Sequence, residues 1–360
     1  MRYKKKLIVL FVLLAIVTVI QYTLPYYPAL VSSYEKYVFH PFQSSRTVLF
    51  KLIPFSVGDV LYTAGAIYLV YIVGKWVYFL FNFRTHLGKL GHSVLHTIMF
   101  ICGCYILFFL GWGGNYYKPS LVTFWDINTT VYEQDTSLET FDRFLVNRLN
   151  AYAPYYETAS FNEIDKKAKE YYKTYTNSRT KNHGLDAKPS IFGSAMQYFG
   201  IQGYYNPFTG EAQVHKQLPA FMLPFVVCHE MAHQSGIAAE DDANLLAYTL
   251  GVKAKDALFN YSAYLNLWLY TNARLSMIDT GKARGFRRML NPLTISHLDT
   301  LKKIRNRFKS EVSVYSGHLY DGYLRLHHQK DGIESYNKVA VSAWAWELDP
   351  RKKEQLIAVP

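Results

Sequence analysis

Three long apolar segments near the start of the chain constrain most strongly what its 360 residues can fold into. They run approximately over residues 7–24, 57–81 and 94–112. Each is about as long as a helix needs to be to cross the hydrocarbon core of a bilayer, although Asp59 and Lys75 weaken the second. The mean hydropathy of the whole chain is only −0.05, so the remainder is polar enough for water. We therefore predict a membrane anchor with three transmembrane helices, residues 1–112, and an aqueous domain, residues 113–360.

The positive charge is unevenly distributed between these two parts. The formal net charge is +12, and residues 1–112 hold ten Lys and Arg against two acidic residues. Residues 113–360 hold 29 Lys and Arg against 25 acidic residues. A nucleic-acid-binding protein concentrates basic residues on one surface of its aqueous domain, and the sequence does not have that pattern. The composition therefore indicates no nucleic-acid partner.

The basic residues beside the apolar segments predict how the anchor is oriented. They precede the first segment and form a predicted short loop between the second and the third: Arg2, Lys4, Lys5 and Lys6, then Arg84, His86, Lys89 and His92. Positive residues favour the cytoplasmic side, so the N-terminus and this loop are predicted there. Three crossings then place the residues after Gly113 outside the cytoplasm, which is the periplasm if the protein lies in a bacterial inner membrane. The first segment ends without a small-x-small cleavage pattern, which predicts an uncleaved anchor.

The aqueous domain is predicted to be mainly α-helical with a small β region. Ser160 and Glu163 have the spacing of a capping box. Two predicted helices begin at Thr136 or Ser137 and after Ser160, and the second of them ends near Asn177. Further helices are predicted over 224–235, 240–250, 256–273, 292–308, 313–329 and 332–346. Residues 179–188 are polar and predict a loop. Residues 201–214 predict a hairpin with its turn at Asn206–Gly210.

The strongest chemical signal is the H-E-x-x-H pattern of residues 229–233. His229 and His233 are four residues apart, so on a helix both imidazoles leave the same face and can bind one zinc ion. Glu230 then lies beside the metal, where its carboxylate can accept a proton from a zinc-bound water that attacks a carbonyl.

The surroundings of this pattern favour a functional helix over a chance match. An apolar run, residues 225–228, precedes it, Pro224 suits the first turn of a helix, and Gly236 suits its C-terminal cap. Two alternatives stand beside the catalytic interpretation. The histidines could form an exposed polar stripe, or the site could hold zinc after losing its chemistry.

A third protein ligand is needed to leave the fourth zinc position open for water. Glu240 is the preferred candidate, because it begins the helix that follows the chain reversal at Gly236. Asp241 and Asp242 project about 100 and about 200 degrees round the helix from Glu240, so only one of the three carboxylates can face the metal. Asp242 is the next candidate.

The second helix resembles that of gluzincin metallopeptidases, in which an E-x-x-A-type sequence supplies the third ligand. Ala243 matches the small residue, and by resemblance Asn244 could hydrogen-bond a ligand histidine and orient it. In metalloproteases of this class a strand edge borders the cleft and pairs with the substrate. An ordinary structural hairpin is the alternative for the corresponding residues, which are Tyr204, Tyr205, Glu211, Ala212, Gln213 and Val214.

Peptide hydrolysis by such a site also needs a donor for the negative charge of the tetrahedral intermediate. Tyrosines and histidines cluster between residues 315 and 328, on one predicted helix. Tyr320 and His318 are the candidates there.

Several blocks of the sequence resemble a family of multi-pass membrane proteins, common in Bacteroidota and treated as zinc metallopeptidases of unestablished function. The blocks are Gly203–Ala212, Leu223–Phe225, Cys228–Gln234, Glu240–Asn244, Tyr320–Leu324 and Gln329–Tyr336. The resemblance implies that His229, His233 and Glu240 are the zinc ligands and that Glu230 is the base. Relatives more often have Glu at the position of Asp242, and the tail after Ala340 is less similar.

Together these features predict a gluzincin-like, membrane-anchored endopeptidase that uses one zinc ion to hydrolyse a peptide or protein substrate. Two other functions remain open: a zinc-containing protein that binds peptides without turnover, and a zinc amidase that acts on cell-wall peptides. An intramembrane protease is disfavoured, because the helix predicted over 224–235 is too short to cross a bilayer. No oligomeric state is predicted.

Overall fold

The computed structural model describes residues 2–132, 135–178, 184–309 and 335–359. In this part the chain is mainly α-helical with a few short strands, which confirms the predicted balance of secondary structure. The chain divides into two compact units, Met1–Lys118 with Asn206–Gly210, and Pro119–Tyr205 with Glu211–Pro360. The division falls after Lys118, whereas the predicted domain boundary follows Trp112.

The first unit consists mainly of helices α1 to α5. Their bounds are Arg2–Thr23, Pro28–Tyr34, His40–Phe50, Val57–Phe81 and Phe83–Gly111. Three stretches are long and apolar enough to cross a membrane: Lys4–Tyr26, Val57–Phe81 and Phe83–Gly111. Most of their large apolar side chains are exposed, as expected for side chains whose solvent is lipid. The unit therefore has the character of a membrane protein.

Helix α5 begins earlier than the sequence pattern predicted. It starts at Phe83, so the basic residues assigned to a loop lie on its first three turns instead, and only Asn82 separates it from α4. The reason is that no proline interrupts residues 83–93, and exposed basic side chains are compatible with a helix. The Trp76 indole on α4 donates a hydrogen bond to Ser93 Oγ on α5 at 3.0 Å, which holds these two helices together.

The second unit contains helices α6 to α16. Their bounds are Leu121–Phe124, Asp135–Tyr152, Phe161–Tyr175, Gly193–Met196, Leu223–Gln234, Glu240–Lys253, Ala257–Ile278, Thr280–Arg288, Pro292–Arg307, Ser335–Glu347 and Pro350–Glu354. The capping box at Ser160 and Glu163 is present, which confirms that prediction. Helix α13, Thr280–Arg288, was not predicted, and the helix predicted over 313–329 lies outside the described residues.

The core of this unit is built around α12, which is packed against α7, α10 and α11. The core side chains of these helices are almost fully buried and mostly large and apolar, and they include Tyr261 on α12, Tyr248 and Leu246 on α11, and Leu145 on α7. Each such side chain contributes about 1.5–3 kcal/mol of apolar transfer free energy when it is buried. This packing makes α10 and α11, whose facing ends carry the predicted site, part of the most buried region of the unit.

Two small sheets complete the second unit. Strand β1, Thr176–Ser178, pairs in parallel with β5, Ile357–Val359. Strands β2, Ala187–Pro189, β3, Gly203–Asn206, and β4, Glu211–Val214, form a sheet in the order β2-β4-β3.

These strands correct two expectations. The helix predicted to continue to Asn177 ends at Tyr175, because β1 pairs with the C-terminal strand. The loop predicted to reach Lys188 becomes strand β2 at Ala187, because β4 is available to pair with it. Both pairings join residues that are distant in the sequence.

A buried acid connects α7 and α12. Asp142 Oδ2 accepts a hydrogen bond from the Asn272 amide at 2.9 Å, and the Asp142 side chain is inaccessible to solvent. Burial raises the pKa of Asp142 to about 6, and the hydrogen bond from Asn272 only partly opposes this shift. The folded chain therefore holds a proton on Asp142 at a pH where the unfolded chain has lost it.

This pKa predicts that Asp142 destabilises the fold as the pH rises. The ordinary pKa is 3.8, so the contribution of Asp142 is most favourable below about pH 4 and is lost as the pH rises to about 6. Between pH 4 and pH 7, the free energy of unfolding should fall by about 2–3 kcal/mol relative to Asp142→Asn, which cannot titrate. Denaturant unfolding of both proteins in detergent, followed by tryptophan fluorescence, measures this difference. A difference that stays constant with pH would contradict the assignment.

Candidate metal centre

The helix that carries the H-E-x-x-H pattern, α10, begins and ends where the sequence predicts within one residue. Pro224 occupies its first turn, where the missing backbone N–H costs no hydrogen bond. At the other end Gly236 has a φ of 98°, a left-handed conformation that glycine adopts without strain. The Gly236 N–H donates to His233 O at 2.9 Å, and the Ile237 N–H donates to Ala232 O at 3.1 Å. This pair of bonds is a Schellman motif, which turns the chain back towards α11.

The two histidines of the pattern converge on one point. Their ring centroids are 4.7 Å apart, and the two Nε2 atoms are 3.2 Å apart. His233 Nδ1 lies 2.7 Å from Ile237 O, so the proton of a neutral ring belongs on Nδ1 and the lone pair on Nε2. The backbone of the helix cap therefore favours the tautomer in which His233 Nε2 could bind a metal ion.

Glu240, the first residue of α11, supplies the third group. Its Oε2 lies 3.2 Å from His229 Nε2, and its Oε1 lies 3.5 Å from His233 Nε2. Burial favours the neutral acid, but His233 and His229 outweigh burial and hold the pKa of Glu240 well below its ordinary range. The same interaction raises the pKa of His233 to about 9, against the opposing effect of burial. The electrostatics of this pocket therefore favour one extra positive charge beside the Glu240 carboxylate.

The spacing of these three groups fits a zinc ion. In a tetrahedral site with zinc–nitrogen and zinc–oxygen bonds of about 2.0–2.2 Å, neighbouring donor atoms are about 3.3–3.5 Å apart. The two histidine Nε2 atoms are 3.2 Å apart, and each lies 3.2 or 3.5 Å from a different oxygen of the Glu240 carboxylate. One donor atom from each residue can be chosen so that all three lie within 4.8 Å of one another. Two imidazole nitrogens and one carboxylate oxygen form a donor set that zinc hydrolases use, with a fourth position left for water or substrate.

Glu230 has the environment of a poised proton acceptor. Its side chain is only 4 per cent exposed, and its Oε2 has no hydrogen-bond partner among the described residues. Burial raises the pKa of Glu230 to about 7, and the nearby Glu240 carboxylate raises it too, while His229 and His233 oppose the shift. A carboxylate with this pKa can exchange a proton near neutral pH.

The alternative ligands have other surroundings. Asp242 Oδ1 accepts a hydrogen bond from the Leu121 N–H at 2.9 Å, and Asp242 is not a member of the donor cluster. Asp241 is half-buried one position further along α11 from Glu240. Burial raises the pKa of both carboxyl groups. Among the described residues, the cluster of possible metal ligands is therefore His229, His233 and Glu240.

Asn244, predicted to orient a ligand histidine, is buried on α11 one turn after Glu240. Its amide nitrogen has no hydrogen-bond partner in the described part of the chain, and neither does His229 Nδ1. His233 Nδ1 already makes a hydrogen bond with Ile237 O, so Asn244 is not needed to orient that ring. A role for Asn244 beside His229 stays a prediction.

The predicted substrate edge is only partly an edge. Strand β4 is the middle strand of its sheet, and its residues Ala212, Gln213 and Val214 are in register with β2, so these positions are not at an open edge. The sequence pattern did not reveal this, because β2 lies in a segment that reads as a loop. Strand β3, with Tyr204 and Tyr205, is at the end of the sheet within the described residues.

Both predicted oxyanion donors, Tyr320 and His318, lie outside the described residues. Another tyrosine, Tyr270 on α12, interacts electrostatically with the Glu240 carboxylate. Burial and the Glu240 carboxylate both raise the pKa of Tyr270, so its phenol stays protonated and can donate a hydrogen bond. With 31 tyrosines in the chain, no sequence signal distinguishes this one.

Comparison with known proteins shows one family. The family described as "Protein of unknown function (DUF3810)" matches residues 34–341. No curated protein and no solved structure matches the chain. The family match includes α10, α11 and the hairpin before them, and it extends over most of both units. The chain belongs to this DUF3810 family of unknown function.

Proposed function

We propose that the protein is a membrane-anchored, zinc-dependent endopeptidase. The observation that carries this proposal is the convergence of His229, His233 and Glu240, whose possible ligand atoms lie within 4.8 Å of one another. A site that only bound metal would not need a further buried carboxylate. Glu230 is such a carboxylate, and its Oε2 has no hydrogen-bond partner among the described residues. Together they supply a metal site and a base.

In this proposal His229, His233 and Glu240 hold the zinc ion. Bound zinc would supply a Lewis acid that polarises the scissile carbonyl and lowers the pKa of water. Glu230 accepts a proton from the attacking water and later delivers it to the departing amine, so the carboxylate is restored after each turnover. The backbone carbonyl of Ile237 keeps His233 in the tautomer that binds metal.

The membrane location follows from α1, α4 and α5, and the orientation from charge. The excess of basic residues at the N-terminus and at the start of α5 favours the cytoplasm for both. We place the second unit on the opposite side of a bacterial inner membrane, in the periplasm. The substrate is then a peptide or protein outside the cytoplasm.

Metal content and cleavage of a peptide library by the full-length protein in detergent test the proposal. We expect about one zinc ion per chain, cleavage that a chelator abolishes, and recovery when zinc is restored. A protein without stoichiometric zinc, or cleavage that persists after chelation, would refute it. Peptide binding without cleavage would instead indicate a regulatory protein, and cleavage confined to cell-wall peptides would indicate an amidase.

A further inference from the structure

Gly203, the first residue of β3, lies directly against the side chain of Glu230. A Cβ atom built on Gly203 would be 2.6 Å from Glu230 Oε1 and 2.8 Å from Glu230 Cγ. It would also be 2.9 Å from the backbone oxygen of Gln213. Non-bonded heavy atoms attract one another at about 3.5–4.0 Å, so all three distances are repulsive. The Glu230 carboxylate thus occupies space that a side chain at position 203 would need.

The atoms around Gly203 cannot move away easily. Glu230 projects from α10, whose residues are almost all buried, and Gln213 lies on the middle strand of its sheet. Next to Gly203, the carbonyl of Gln202 accepts a hydrogen bond from the His215 N–H at 3.0 Å. Strand β3 is therefore held at this point, and the contact with Glu230 is set by the packing of α10 and the sheet.

We propose that Gly203 is a positioning residue for Glu230. Its bare backbone gives the carboxylate room and also forms a wall that confines Oε1. The contact thereby fixes the position of the carboxylate that would exchange the proton. The three atoms nearest to a Cβ at position 203 belong to Glu230 and Gln213 and not to His229, His233 or Glu240. This role rests on the proposed function, since it matters only if Glu230 is the base.

The test is Gly203→Ala in the full-length protein, with zinc content, kcat and KM measured on a cleaved peptide. We expect about one zinc ion per chain, little change in KM, and a loss in kcat of about 10²- to 10⁴-fold, as for loss of the base itself. In a Glu230→Gln background, Gly203→Ala should cause no further loss, because the two changes remove the same group from its place. Gly285→Ala is the matched control, since a Cβ there meets open space on helix α13.

Thermal unfolding gives a second cycle that does not depend on activity. Gly203→Ala should lower the Tm of the wild-type protein, and the loss should be much smaller when Glu230→Ala has removed the opposing side chain. If Gly203→Ala alone does not fold, Glu230→Ala should restore folding. Gly285→Ala should leave the Tm unchanged or slightly higher, as expected for alanine in a helix.

The possible outcomes separate this inference from the proposed function. Loss of zinc in Gly203→Ala, full retention of kcat, or an equal loss of Tm in both backgrounds would overturn the positioning role. A wild-type protein that cleaves no peptide would refute the proposed function, while the thermal cycle would still decide whether Gly203 and Glu230 compete for one space.

Discussion

Replacement of Glu230 by glutamine is expected to lower kcat for peptide hydrolysis by about 10²- to 10⁴-fold, which is the usual contribution of a positioned general base. Glutamine has nearly the shape of glutamate, so α10 should pack as before. It cannot accept a proton at neutral pH, and the attacking water would lose its base. The zinc content should stay at about one ion per chain, because Glu230 is not a member of the donor cluster.

The change should appear in kcat with little effect on KM. A group that acts mainly in the transition state lowers kcat and kcat/KM together, whereas a group that only binds substrate raises KM. Initial rates over a range of peptide concentrations, with zinc measured on the same samples, distinguish these cases. Glu170→Gln makes the same chemical change on the exposed face of α8 and should leave both constants unaltered.

Two results would argue against Glu230 as the base. Unchanged kcat in Glu230→Gln would show that another group accepts the proton. Loss of zinc together with activity would show that Glu230 supports the metal site rather than the chemistry. A protein that binds peptides without cutting them predicts that its biological effect survives Glu230→Gln.

The part of the site formed by α10 could be predicted from the sequence, because its signals are local. The four-residue spacing of His229 and His233 places both rings on one helix face, and Pro224 and Gly236 mark where that helix begins and ends. Glu240 could be predicted for the same reason, since only a short turn separates it from the cap of α10. All of these inferences use residues that are close together in the sequence, between positions 224 and 240.

The rest depends on contacts between residues that are distant in sequence. Strand β4 is central only because β2, in an apparent loop, pairs with it. Asp242 is engaged by Leu121, which lies more than a hundred positions earlier in the chain. Gly203 lies against Glu230 across 27 positions, and a glycine at the start of a hairpin strand has many ordinary explanations. Local patterns carry no information about such pairings.

The second large effect is expected on zinc affinity, and it distinguishes Glu240 from Asp242 two positions further along α11. Glu240→Gln should remove most of the bound zinc, because a neutral amide oxygen replaces the anion that lies 3.2 and 3.5 Å from the two histidine Nε2 atoms. Loss of a residue that hydrogen-bonds a metal ligand typically lowers metal affinity about 10- to 100-fold. Loss of Glu240 should lower zinc affinity by more than that. Competition with a fluorescent zinc chelator measures the affinity.

Asp242→Asn is the matched control and tests the alternative ligand at the same time. Its amide oxygen can still accept the hydrogen bond from the Leu121 N–H, so the contact between α11 and α6 should survive. Zinc affinity should therefore remain close to that of the wild-type protein. The opposite pattern, with zinc lost in Asp242→Asn and kept in Glu240→Gln, would move the third ligand two positions along α11. Because Asp242 projects about 200 degrees away from Glu240 round the helix, that result would require α11 to be rotated by about half a turn relative to α10.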